Sequence, residues 1–208
     1  RSQGAIRFAG KAIDGLGGSD TMAGGLGDDI YIVDNSRDRV TELSNAGTDT
    51  VKTTLLSYIL GSNLENLVYT GPSNFRGDGN AANNTLTGAN GNDVLNGLAG
   101  ADVLQGNGGN DSLRGGLGQD HLFGGLGADR FIFGSTTEAG LGSTMDVIED
   151  FAPGDKIDLS LIDANTSSRL DQAFSAIFVQ DFTGLRGHSH QHRDGRGRRR
   201  ARRRPGSS

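Results

Sequence analysis

Seven aspartates set nine residues apart within two blocks carry the chemistry of this 208-residue chain. Asp93, Asp102, Asp111, Asp120 and Asp129 form one run, and Asp20 and Asp29 form a shorter one. Each stands at position 6 of a nonapeptide. The long run reads GNAANNTLT, GANGNDVLN, GLAGADVLQ, GNGGNDSLR, GGLGQDHLF and GGLGADRFI, from Gly79 to Ile132 without a gap; GLGGSDTMA and GGLGDDIYI cover 15–32. Carboxylates held at such a repeat repel one another, by about 1 kcal/mol in water and about 4 kcal/mol at an effective dielectric of 20. A hard cation that takes six to eight oxygens reverses that sign. Calcium suits the set better than magnesium, which demands tighter octahedral geometry and holds its water. Zinc and copper would call for His or Cys; the repeats hold only His121, and the chain has no cysteine at all.

The element that must position these groups follows from the rest of the unit. Glycine tolerates positive φ and lets backbone carbonyls point inward without a Cβ clash. Gly88, Gly97, Gly106, Gly115 and Gly124 open their units, and Gly91, Gly100, Gly109, Gly118 and Gly127 hold position 4; their loops are expected to contribute to the cation shell. The second half of each unit is a short strand whose middle side chain faces inward. Met22, Tyr31, Leu86, Leu95, Leu104, Leu113, Leu122 and Phe131 take that place. Two units make one turn of the coil with a loop on either side, so loops two units apart stack. One edge should carry Asn84, Asp102 and Asp120, the other Asp93, Asp111 and Asp129. About four inter-turn ion sites follow, the best formed between Asp102 and Asp120, Asp93 and Asp111, and Asp111 and Asp129. Solvated turn aspartate is the competing reading, and the strict register disfavours it. The expected fold is all-β: a parallel β-roll, that is, a β-helix of nonapeptide repeats, with a small β cap and a disordered C-terminal tail.

Composition supports this. Gly makes up 35 residues and Pro 3, which with a nine-residue period excludes collagen and simple disorder. Hydrophobic content of 34% implies a thin core. No apolar run approaches the ~18 residues of a membrane span. The chain starts RSQGAIRFAG, without Met or a signal peptide, and reads as a fragment of a longer protein. The net charge of -5 hides an acidic body and a basic end, since 186–208 holds nine Arg against Asp194 alone.

Five segments are expected: N-terminal repeats over 1–32, degenerate turns of the same coil over 33–78, the six-unit block over 79–132, the cap over 133–183 and the tail over 184–208. Asp38 keeps the Asp-x-apolar spacing with Val40 and falls two units after Asp20, making it a weaker candidate ligand. Asn84 is another, because an amide replaces the carboxylate. The units at Gly15 and Gly24 fall on opposite edges, so each lacks a full partner unless Asp20 pairs with Asp38. Asp146, Asp150, Asp155 and Asp158 lie beside two apolar strands around a Pro153-Gly154-Asp155 turn and read as turn residues by default. His121 reads as an exposed strand residue, and His188, His190 and His192 as incidental composition. The Arg-rich tail has no aromatic residue to stack bases, which argues against nucleic acid as a partner. Its abrupt start suggests a reading-frame shift near Gly184.

The nonapeptides resemble the RTX (repeat-in-toxin) unit G-G-x-G-x-D-x-U-x, which binds calcium in a β-helix. YIVDNSRDRVTELSNAGTDTV and LENLVYTG resemble a segment common between such repeats. DRFIFGSTTEAG and DVIEDFAPGDKIDLSLIDAN resemble the C-terminal module of serralysin-type metalloproteases and the calcium-binding modules of mannuronan epimerases. The resemblance covers roughly 12–183. It implies a secreted, extracellular bacterial protein, exported unfolded and calcium-free by a type I secretion apparatus, and a module attached to an upstream enzyme domain. No HExxH, GxSxG or P-loop occurs in the chain, so no catalytic constellation accompanies the module. A calcium-stiffened spacer of an adhesin or surface-layer protein, and a polysaccharide-binding module, are the alternatives.

Overall fold

The computed structural model describes residues 10–135, 137–140 and 145–162. Residues 168–182, whose AFSAIFV stretch reads as a strand or as a short helix followed by one, lie outside them, as do the three tail histidines and the basic tail. Sixteen strands and no helix occur among the described residues. In chain order the first eight are β1 (Ala12–Asp14), β2 (Thr21–Met22), β3 (Ile30–Val33), β4 (Arg39–Val40), β5 (Thr50–Thr53), β6 (Ser57–Ile59), β7 (Asn66–Tyr69) and β8 (Arg76–Asp78). The rest are β9 (Thr85–Thr87), β10 (Val94–Ala99), β11 (Val103–Gly108), β12 (Ser112–Leu117), β13 (His121–Leu126), β14 (Arg130–Ile132), β15 (Val147–Ile148) and β16 (Lys156–Asp158).

Every pairing is parallel, and successive strands alternate between faces. One sheet runs β1-β3-β5-β7-β9-β11-β13-β15 and the facing one β16-β14-β12-β10-β8-β6, with a short β2-β4 pair. The result is a β-solenoid of about seven turns, the parallel β-roll expected from the repeats. In the six-unit block the register is two units per turn: Leu86 lies beside Leu104, Leu104 beside Leu122, and Leu95 beside Leu113. The eight inward side chains are all buried, and Leu86, Leu95, Leu104, Leu113, Leu122 and Phe131 are at 0% exposure.

Three departures have physical causes. Strands β10 to β13 are six residues long, not three, because the ladder continues into the first glycines of the next unit; Leu98 pairs with Gly116 and Asn107 with Gly125. Between 33 and 78 the coil continues with uneven turns. Tyr31 lies beside Val51, Val51 beside Leu67, and Leu67 beside Leu86, so these turns are in order longer, shorter and longer than two nonapeptides. At Gly77 the inward column has no side chain, and the Phe75 ring, stacked on Tyr69 at 4.5 Å, fills the space. Finally, β15 and β16 do not pair with each other around the Pro153-Gly154 turn. Each extends one sheet in parallel, Ile148 beside Leu122 and Ile157 beside Phe131. These partners stand further apart along the chain than two units, because a loop follows Phe133.

Candidate metal centre

Each nonapeptide loop places its aspartate by one repeated bond. The N–H at the position-6 register donates to Oδ1 of the Asp one turn ahead: Asn84 to Asp102 (2.7 Å), Asp102 to Asp120 (2.9 Å) and Asp120 to Asp146 (3.0 Å) on one edge. On the other, Phe75 donates to Asp93 (2.8 Å), Asp93 to Asp111 (2.7 Å), Asp111 to Asp129 (2.8 Å) and Asp129 to Asp155 (2.9 Å). The two columns form as expected, but the carboxylates do not meet face to face. One oxygen of each is tied to the neighbouring backbone; Oδ2 of Asp93 also accepts the Ala89 N–H at 2.7 Å, while in most of the others the second oxygen is buried without a partner.

That second oxygen is what the fold leaves unused. Oδ2 of Asp102, Asp111, Asp120, Asp129 and Asp146 is buried with no hydrogen-bond partner, and so is Oδ2 of Asp20, Asp29 and Asp49. A buried acceptor without a partner costs about 1–3 kcal/mol, more when charged, so eight of them demand a counterpart. The position-1 glycines show where it would sit. A methyl on Gly97 would lie 2.3 Å from Asp102 Oδ2 and 2.5 Å from the Gly115 carbonyl; on Gly106, 2.2 Å from Asp111 Oδ2 and 2.6 Å from the Gly124 carbonyl. Gly88 repeats this with Asp93 and the Gly106 carbonyl. Carboxylate and next-turn carbonyl thus converge on one open spot, an all-oxygen donor set that fits calcium. The loops of Gly115 and Gly124 bring Asp120 and Asp129 to the same distance range.

Position-4 glycines face the turn behind. A methyl at Gly91, Gly100, Gly109, Gly118 or Gly127 would collide with a carbonyl carried by Ser73, Ala82, Gly91, Gly100 or Gly109. All but Gly91 have positive φ, where a side chain is strained. Leu98 and Asn107 take positive φ at position 2 without glycine.

Without a cation these carboxyls keep their protons to higher pH than free ones do. Burial pushes Asp102 and Asp111 up to about 7, against the lowering effect of the backbone N–H each accepts; the charges of Asp120 on the first, and of Asp93 and Asp129 on the second, add to the rise. Asp146 rises to about 8, again chiefly by burial, with Asp120 and Glu138 contributing. Burial also raises Asp93, Asp120 and Asp129.

The remaining candidates sort by geometry. Asp38 Oδ1 accepts the Asp20 N–H at 3.0 Å, so these two stack. Asp29 has a partner too, Asp49, whose Oδ1 accepts its N–H at 2.7 Å. The amide of Asn84 is satisfied by the Leu64 carbonyl and the Asn80 N–H, which closes its column. Asp155 is likewise capped by the Ala152 N–H, and Asp150 accepts from Gly124 and Gly125. Asp158 pairs with Arg130, and His121 with Glu149 at 2.5 Å on the surface.

Asp49 and Asp146 are the members that spacing by nine does not find. Their signal is the shorter Asp-x-apolar pattern, Asp49-Thr50-Val51 and Asp146-Val147-Ile148. A second ladder was also outside the expectation. Asn74, Asn83, Asn92 and Asn110 accept, through Oδ1, the N–H of Asn92, Ala101, Asn110 and Ala128, each one full turn on.

The RTX calcium-binding nonapeptide repeat, described as four copies, matches 12–40, 78–113 and 96–131. The chain carries RTX calcium-binding repeats. Their cofactor is calcium, in agreement with the oxygen-only pockets. Among similar proteins is Endo-1,3-1,4-beta-glycanase ExsH of Rhizobium meliloti (strain 1021), 45% identical over 71 residues, 34% of this chain and 15% of that protein. Endo-1,3-1,4-beta-glycanase EglC of the same strain is 46% identical over 68 residues, 33% of this chain and 14% of that protein. The matched stretch is therefore a small part of each relative. Among the described residues no helix is long and apolar enough to cross a membrane.

Proposed function

We propose that this RTX coil is a non-catalytic module of a larger secreted enzyme, and that calcium switches it from unfolded to folded. The column of buried, unpartnered Oδ2 atoms carries the reading. In this assignment Asp20, Asp29, Asp93, Asp102, Asp111, Asp120 and Asp129 supply carboxylate oxygens. The loops opened by Gly88, Gly97, Gly106, Gly115 and Gly124, and turned at Gly91, Gly100, Gly109, Gly118 and Gly127, supply carbonyls. Asp146 and Asp49 join the set; Asp38 is a weaker member, and Asn84 contributes no charge.

Bound calcium supplies positive charge between turns. The chain's residues do the remainder: Oδ1 fixes each loop to the loop behind, glycine leaves room at positions 1 and 4, and the leucine column closes the interior. An ion present at ten times its dissociation constant adds about 1.4 kcal/mol, so about four add about 6 kcal/mol. That rivals the whole stability of a small domain, roughly 5–15 kcal/mol, which makes the ions decisive. Calcium is abundant outside cells, so such a module folds after export. The two relatives bear enzyme names, and the match to each is confined to about a seventh of its length, which supports a catalytic domain elsewhere in the parent protein.

Far-UV circular dichroism tests the switch. In a chelator the spectrum should be that of an unfolded chain and should gain its β signal cooperatively as calcium is added. Equal β content in both conditions contradicts the proposal.

A further inference from the structure

We propose that Glu42 joins Asp29 and Asp49 in a three-carboxylate site for a hard divalent cation, built where the coil leaves the nonapeptide register. One carboxylate oxygen from each lies within 4.8 Å of the other two, and all three residues are buried. Asp29 is at 0% and Asp49 at 1% exposure, and Oδ2 of each has no partner. Two unpaired buried oxygens beside a third carboxylate call for a cation. Glu42 and Asp49 lie outside the 12–40 stretch that matches the repeat.

Gly24 shows how the site differs from the others. At Gly124 the opening-glycine N–H meets the Asp150 carboxylate, whereas at Gly79 and Gly88 it donates to the Asn96 and Gln105 carbonyls one turn on, both at 2.8 Å. The Gly24 N–H instead donates to Glu42 Oε1 at 3.1 Å and to the Tyr31 hydroxyl at 2.5 Å. Glu42 lies one full turn after Gly24, so a carboxylate stands where Gly79 and Gly88 meet a neutral carbonyl. The Tyr31 hydroxyl donates to the same Oε1, and the Leu43 N–H holds Oε2 at 3.1 Å. The Glu65 side chain accepts the Asp49 N–H at 2.7 Å and fixes that residue from the other side.

No basic side chain among the described residues makes an ion pair with the three. Lys11 is the nearest candidate, but its Nζ donates to the Gly24 carbonyl and only its backbone N–H reaches Asp29. The extra carboxylate favours cations of high charge, so a trivalent lanthanide should also enter. The site rests on the RTX reading for Asp29 and Asp49 and adds Glu42, which that reading does not use.

The test uses the full chain. Equilibrium dialysis at saturating calcium should show one bound ion fewer in Glu42→Gln than in the parent; equal counts overturn the proposal. Terbium luminescence gives a second readout that does not depend on that variant folding. The chain has no Trp and three Tyr, and Tyr31 is bonded directly to a ligand. Tyrosine-sensitised terbium emission should fall in Tyr31→Phe while its calcium count holds, and unchanged emission overturns the proposal. If the RTX columns bound nothing, the terbium signal would persist while the calcium count dropped to one, so the two readings fail separately.

Discussion

Replacing Gly106 with alanine is expected to raise the calcium concentration for half-folding about threefold. The new methyl would stand 2.2 Å from Asp111 Oδ2 and 2.6 Å from the Gly124 carbonyl, in the space where both oxygens converge. Neither can retreat freely: Asp111 is tied through Oδ1 to the Asp93 N–H, and the Gly124 N–H is held by Asp150. Losing the ion removes about 1.4 kcal/mol and leaving the crowded carboxylate unpartnered adds about 1–2 kcal/mol; spread over about four ions that bind as the chain folds, that is about threefold in the midpoint. Gly17→Ala is the matched control. Nothing lies within 4 Å of its added methyl, so that variant should fold at the parent's calcium concentration or slightly below it. A calcium titration followed by circular dichroism compares the two, and equal midpoints would refute the pocket.

Acid is expected to fold the calcium-free coil. Asp102 and Asp111 titrate at about 7 and Asp146 at about 8 in the folded chain, each above the ordinary value of 3.8. A carboxyl whose folded value is raised stabilises the fold fully below its unfolded value, and the benefit is lost as pH climbs through the folded value. In chelator, β structure should therefore increase from about pH 8 to about pH 5. Calcium reverses the trend, because it needs the ionised carboxylates and competes with protons, so its apparent affinity should fall across the same window. Two groups act the other way. Glu138 is raised by burial but brought below its usual range by Arg114 and the Gly134 N–H; Asp158 is lowered by Ser160 and Arg130. Both matter only below about pH 4. A chelated coil that lost structure on acidification to pH ~5 would contradict the protonated interior.

The six-unit block was legible because a strict period fixes both faces at once. With Asp at position 6 and Leu or Phe at position 8, one register explains the columns and the core together. What the pattern could not show is which oxygen does what. Oδ1 caps the peptide behind it, and only Oδ2 remains for an ion. The middle of the coil was legible as strands but not in register, since its unequal turns have no repeated glycine to mark them. Tyr31 shows this most clearly. It occupies an inward position like the leucines, yet its hydroxyl reaches Glu42 on the next turn, a meeting no spacing rule announces. Asp146 escaped for a similar reason: the loop after Phe133 carries it beyond the two-unit distance from Asp120, and only the Asp-x-apolar triplet survived. The ladder of Asn74, Asn83, Asn92 and Asn110 had no sequence signal, because loop composition alone does not distinguish an inter-turn ladder from a turn.

The most direct measurement is diffraction from calcium-loaded crystals, with the ions located by their anomalous signal. Two columns of ions are expected between successive turns, in contact with Asp102 Oδ2 and the Gly115 carbonyl on one edge and with Asp111 Oδ2 and the Gly124 carbonyl on the other. Calcium found only at surface carboxylates such as Glu149, with both columns free of anomalous density, would contradict the inter-turn sites.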